Sequence, residues 1–364
     1  MRRTRKSAGH FFWGSLVAVS LLRAQAQAQD IVIGLITRTN ANPYYVAMKQ
    51  GAEQKAKDLG VILKAYAGKF DGDVDGQVRA IEQLVADGAK GILLSASDGT
   101  AIVPTVKKAR AAGLLVVSLE TPLDPPTAAD VTIATDNFKA GKLLGLWAKA
   151  RLGRRADSAK VARLDFGHDE PAFADIRRDG FLVGIGIINA VPTVGCGCEC
   201  SQDSCRRSCR ECDASQNKRQ IVGNDVTGGS IEGGRKAMEN LLQSTPDIDV
   251  IYADNALAAV GGYAALKSAG KEKDVLFLTV DGNCSAVQGI KNGVVSALSQ
   301  EYPFMMGARG VEAVVEFAKN GKKIEPTSGL DFVAINPMLV TNDPQFNVES
   351  IDATNAAKIC LRGP

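Results

Sequence analysis

Histidine is almost missing from this sequence: two occur in 364 residues, at His10 and His168. A Ser-His-Asp hydrolase needs a histidine beside an elbow serine, and no G-x-S-x-G is present. H-E-x-x-H and the Walker loop are absent as well, which removes the usual signs of zinc peptidase or P-loop chemistry. His168 therefore reads as a solvated loop residue near a ligand cleft. Long apolar runs are scarce, and Phe11–Leu22 is too short for a convincing membrane span. Positive charge is also lacking where it would count. Residues 1–28 carry five Arg and Lys and no acid, so the formal +3 of the whole becomes −2 without them. Nothing here favours a nucleic-acid partner.

What is present begins with an export pattern. Arg2, Arg3, Arg5 and Lys6 precede the apolar run, and Ala26-Gln27-Ala28 forms an A-x-A cleavage site. The mature chain is expected to begin at Gln29, after a signal peptide over 1–28. No cysteine follows the cleavage site, which argues against a lipid anchor. Arg2-Arg3 lacks the rest of a twin-arginine motif, and an uncleaved anchor is the alternative reading.

The body alternates strand and helix. Strands are expected at Ile31–Ile36, Val61–Ala67, Gly91–Ala96, Leu114–Leu119 and Val131–Thr135. Amphipathic helices fall between them; Val78, Ile81, Leu84 and Val85 repeat at helical spacing. Gly60, Gly88 and Gly113 supply helix stops. A second set runs from Val161–Phe166 to Phe304–Asn320. This pattern predicts an α/β fold, with two parallel sheets wrapped on both faces and a cleft between two lobes. The glycine clusters at 184–189 and 228–234 do not complete a dinucleotide loop and read as turns and close packing.

Polar residues recur where strands end, which is where ligands bind in open α/β sheets. The first strand leads into "TRTNANPYYVAMKQG", with Asn42, Tyr44 and Tyr45 at the start of a helix. Asp98, Glu120, Thr135, Asn255, Asp281, Gln300 and Glu301 follow later strands, and Arg177 lies in the helix after Val161–Phe166. Carboxylates accept, arginine donates and amides do both, so such groups can satisfy the hydroxyls of a sugar. Each could singly be a helix cap instead.

With these residues in view, the chain resembles the type I periplasmic sugar-binding proteins of bacterial ABC importers, the ribose- and fructose-binding group. The likeness to fructose-binding members rests on "LKAYAGK", "GILLSASD", "ATDN..AGK", "EGGR.AMENLL" and "VESID". The resemblance implies a two-lobed, non-enzymatic monomer without a cofactor, joined by three hinge strands. It would close on one monosaccharide in the periplasm and deliver it to a permease and its ATPase. A sensor of the same fold, feeding a chemoreceptor or membrane kinase, is the alternative. The implied lobes are 30–135 with 301–331, and 136–300 with 332–364.

The resemblance carries sugar contacts onto Asn42, Tyr44, Tyr45, Thr135, Arg177, Asn255 and Asp281. Glu120 stands where an aspartate is usual and Glu301 where a glutamine is usual. Gly229 and Val280 stand where ribose binders carry aromatics. These departures predict a roomier, less aromatic pocket, suited to fructose or a similar hexose before ribose. A second acid could also favour an aminated ligand.

Six of eight cysteines crowd into Cys196–Cys212, inside an insert at 195–213. A disulfide-knotted loop, a thiolate metal site and a shifted reading frame are three competing accounts. Cys284 and Cys360 stand apart. Fructose-type relatives carry cysteines at both places, which implies a disulfide; two free buried thiols are the alternative.

Overall fold

The computed structural model describes residues 31–167, 172–188, 220–360 and 363. The export segment, His168 and the Cys196–Cys212 cluster lie outside them. The chain opens with β1 (Val32–Thr37), α1 (Pro43–Leu59), β2 (Ile62–Ala67), α2 (Val74–Ala86), β3 (Gly91–Leu94) and α3 (Val103–Ala111). After β4 (Leu115–Leu119) and β5 (Val131–Thr135) it crosses to a second unit through α4 (Asn137–Leu152). There follow β6 (Val161–Asp165), α5 (Ala172–Ile185), β7 (Ile221–Val226), α6 (Ile231–Ser244), β8 (Val250–Ala253) and α7 (Ala256–Ser268). β9 (Leu276–Asp281), α8 (Cys284–Lys291) and β10 (Ala297–Gln300) complete that run. α9 (Pro303–Asn320) and β11 (Val333–Ile335) return to the first unit, and β12 (Met338–Val340) with α10 (Ala353–Ile359) ends in the second.

The first sheet has the order β11-β5-β4-β3-β1-β2 and the second β12-β10-β9-β8-β6-β7. All pairs are parallel except β10 with β12. Both lobes are thus doubly wound, as the alternation predicts. Side chains alternate between faces along a strand. Ile33 and Leu35 pack under α1 and α9 beside Met48, Met306 and Val314, while Ile36 meets Ile81 and Leu84 of α2 on the other face. The second sheet repeats this arrangement. Leu164, Ile251 and Phe277 face Met238 and Leu266, and Val250, Tyr252 and Leu278 face Trp147 and Phe181.

Three helix pairs meet backbone to backbone: α1 with α9, α4 with α5, and α6 with α7. A Cβ on Gly51 would lie 1.9 Å from the Phe304 carbonyl oxygen, and one on Gly141 would lie 1.8 Å from that of Arg177. Only glycine permits such contact between α1 and α9, or between α4 and α5. α4 was not foreseen, because small residues make half of its buried face. Ala140, Gly141, Gly145 and Ala148 are buried beside Leu144, Trp147 and Leu152, while Leu146 is exposed, so large apolar side chains mark the period only in part. β11 and β12 are three residues each, too short to show alternation. β11 also corrects the lobe boundary at 331: Val333–Ile335 pairs with β5 in the first sheet, so the chain crosses at Asn336-Pro337.

Cys284 and Cys360 are disulfide-bonded, with Cα atoms 5.2 Å apart, and tie the start of α8 to the end of α10. The bond spans 76 residues of sequence. Loop closure of that length stabilises by roughly 4 kcal/mol. The variant with both cysteines changed to serine should lose stability of that order, read as a lower urea midpoint with a slope no smaller than that of the wild type.

Candidate functional site

In both sheets the strand order reverses beside the first strand, between β1 and β3 and between β6 and β8. Such switch points leave a crevice at the carboxyl ends of the strands. One cleft draws on both: Arg38, Asp71 and Glu120 come from the first lobe, and Phe166, Asn255 and Asp281 from the second. It encloses about 530 Å³, its open mouth included.

Several lining residues also cap helices. The Asn42 side chain accepts from the Tyr44 amide at 2.9 Å, and Pro43 follows as the first residue of α1. Asn255 caps α7 by accepting from the Ala258 amide at 2.8 Å, while its own amide donates to the Gly229 carbonyl at 3.0 Å. The Asp281 carboxylate accepts from the amides of Ala256 and Gly282 and from the Asn283 side chain. Burial pushes its pKa up, against the pull of those donors.

At the floor lies a buried ion pair. Arg177 is 4% exposed and Glu301 1%. The Arg177 guanidinium donates to Glu301 Oε1 at 2.5 Å and to the Asn137 side-chain oxygen at 2.6 Å, and it sits 4.6 Å over the Phe173 ring. Burial disfavours its charge, yet Glu301 and its neighbours hold its pKa above the ordinary arginine value. Burial pushes Glu301 up to about 7; Arg177 opposes the rise, and the charges of Glu120 and Asp281 add to it. Glu120 accepts from the Tyr45 hydroxyl at 2.9 Å and the Ser95 hydroxyl at 3.1 Å. Burial raises its pKa, and Arg38 opposes this. Glu120 has φ +69°, a left-handed conformation uncommon for a side chain of this size. Arg38 is itself paired with Asp71 at 2.9 Å.

Eight of the expected residues line the cleft: Asn42, Tyr44, Tyr45, Glu120, Arg177, Asn255, Asp281 and Glu301. Three do not. Asp98 is exposed and accepts from the Thr100 and Ala101 amides, so it is a turn cap. Gln300 is buried and its amide donates to the carbonyls of Glu301 and Cys360, away from the cleft. Thr135 is buried beside Glu301, whose ionised form it favours, but does not reach the lining. Arg38, Asp71, Phe166, Phe173 and Leu257 join the wall without having been foreseen, beside Asp254 and Val280. Arg38 could have been found, since it directly follows the first strand. Aromatic lining is present all the same, because Phe166 and Phe173 supply rings at 6.4 Å in a T-shaped pair.

Residues 33–323 match the periplasmic binding protein domain. The chain belongs to the periplasmic binding protein family. Among its relatives, the ribose import binding protein of Bacillus subtilis is 28% identical over 82% of this chain and 85% of its own length. The D-allose-binding periplasmic protein of Escherichia coli is 26% identical over 91% and 98%. A solute-binding protein from Actinobacillus succinogenes, solved with bound D-allose, superposes at a TM-score of 0.69 with 21% identity, over 86% of this chain and 98% of that one. A galactofuranose-binding protein superposes at 0.68 with 20% identity, over 91% and 97%. These structures share the two-lobed fold of this family member.

Glu301 ties stability to pH. The folded chain holds its proton up to about pH 7, whereas the ordinary glutamate value is 4.5. Between those values the folded state binds more protons than the unfolded one, so stability falls as pH rises. Glu120 and Asp281 are raised as well and act in the same direction. The lowered carboxyls Asp73, Asp87 and Asp130 act below 3.8, outside this window. The unliganded protein should melt higher at pH 5 than at pH 8, and Glu301→Gln should flatten that slope in a thermal scan.

Proposed function

We propose that this chain is the periplasmic substrate-binding component of an ABC importer for a monosaccharide. Capture is by hinge closure, and the closed form is handed to a membrane permease and its ATPase. The carrying observation is the cleft itself, in which carboxylates, amides and guanidinium groups from both lobes converge with aromatic rings. A sugar ring presents hydroxyls around its edge and C–H bonds on its faces, and such a lining answers both. Relatives named for ribose, allose and apiose support a sugar as the ligand. Fructose or a similar hexose is the preferred ligand, with ribose next, on the departures at Gly229 and Val280.

The hinge would be the three segments that cross between sheets, after β5, after β10 and between β11 and β12. A ligand drives closure only as far as it binds the closed form better than the open one. The mature chain would be exported and act as a monomer, with no covalent step. A thermal-shift screen against monosaccharides, polyols and amino acids tests this reading. A native-state ligand at a hundredfold excess over its Kd stabilises by about 2.7 kcal/mol. A large shift with fructose or another hexose is expected; no shift with any sugar, on folded protein, would sink the reading.

A further inference from the structure

We infer that Phe166 is the apolar platform on which the ligand rests in the second lobe, occupying the place a side chain at position 229 would fill. The inference rests on the sugar-binding reading above, and it narrows the ligand to a cyclic monosaccharide with an exposed C–H face. Gly229 is the first observation. It has φ +64°, its amide donates to the Thr227 hydroxyl at 3.1 Å, and its carbonyl receives the Asn255 amide. A Cβ built there would lie 2.4 Å from Phe166 Cε2 and 2.9 Å from Cζ. The ring and a side chain at 229 therefore claim the same space.

The backbone of Phe166 is held at both ends. Its amide donates to Asp254 Oδ2 at 2.9 Å, and its carbonyl accepts from the Gly228 amide at 2.7 Å. The ring stands edge-to-face with Phe173 at 79°, and Phe173 in turn carries the Arg177 guanidinium. Phe173 is buried, but Phe166 is only half-buried, at the switch point of the second sheet. An apolar ring fixed in place and left half open to a polar cleft offers a surface that a ligand can cover. Polar groups alone would suit an open-chain polyol equally well. A flat ring favours a ligand whose C–H bonds lie on one face.

The test measures binding by calorimetry for the wild type, Phe166→Ala, Phe166→Leu, Gly229→Ala and the Phe166→Ala/Gly229→Ala double variant. The probes are D-fructose, D-ribose and D-allose, each beside its open-chain alditol. Phe166→Ala should weaken the best cyclic sugar roughly tenfold, as expected for the loss of one stacked ring. Its alditol should change far less. Phe166→Leu keeps the apolar volume without the flat face and should also weaken the cyclic sugar, which guards against misfolding of the alanine variant. Gly229→Ala should weaken binding alone but add little to Phe166→Ala, since the clash needs the ring. Wild-type affinity in both Phe166 variants, or full additivity with Gly229→Ala, would overturn the platform while leaving the sugar reading intact. A wild type that binds none of the probes would overturn both.

Discussion

The buried pair of Arg177 and Glu301 holds the architecture of the site together. Arg177 projects from α5, in the second lobe, and Glu301 lies where the chain leaves β10 for the first lobe. The same guanidinium bonds Asn137, at the crossing after β5. One side chain thus fastens two of the three crossings to a single helix. Taking both charges out of water costs several kcal/mol per ion, which close geometry and extra hydrogen bonds offset, and loss of one partner leaves the other stranded. The Gly141 contact explains how α5 comes near enough: α4 touches the Arg177 carbonyl directly, with no side chain between.

The acid-rich character of the cleft follows from that anchoring. Arg177 is consumed by protein partners, and Arg38 by Asp71 at the rim. Glu120 is left with hydroxyl donors and Asp281 with amide donors. Burial raises the pKa of both, so each gains when something donates to it. Sugar hydroxyls can do so without adding charge, in a space where water would otherwise serve.

Much of this was legible in the sequence. Strand–helix alternation and glycine stops indicate doubly wound lobes, and polar residues at strand ends mark most of the cleft. The failures have physical causes. Asp98 and the true lining residues share a composition, because turn caps and ligand contacts both need small acceptors at strand ends. Gln300 and Glu301 are neighbours that serve opposite sides, and a one-residue choice of face is not visible in composition. Phe166 and Phe173 read as core, since an aromatic beside a strand or on a helix normally is. α4 escaped notice because half of its buried face is written in glycine and alanine, which blurs the apolar period of Leu144, Trp147 and Leu152.

The double duty of the capping residues constrains how such a protein can change. Asn42 and Asn255 hold helix ends while facing the cleft, and Asp281 accepts the first amide of α7. Altering any of them for a new ligand also unsettles a helix. Glu120, Gly229, Val280 and Glu301 carry no such capping role, and these are the positions where the chain departs from the pattern it resembles. Divergence in ligand choice would therefore run through side chains that terminate no helix, leaving the capping frame as common inheritance.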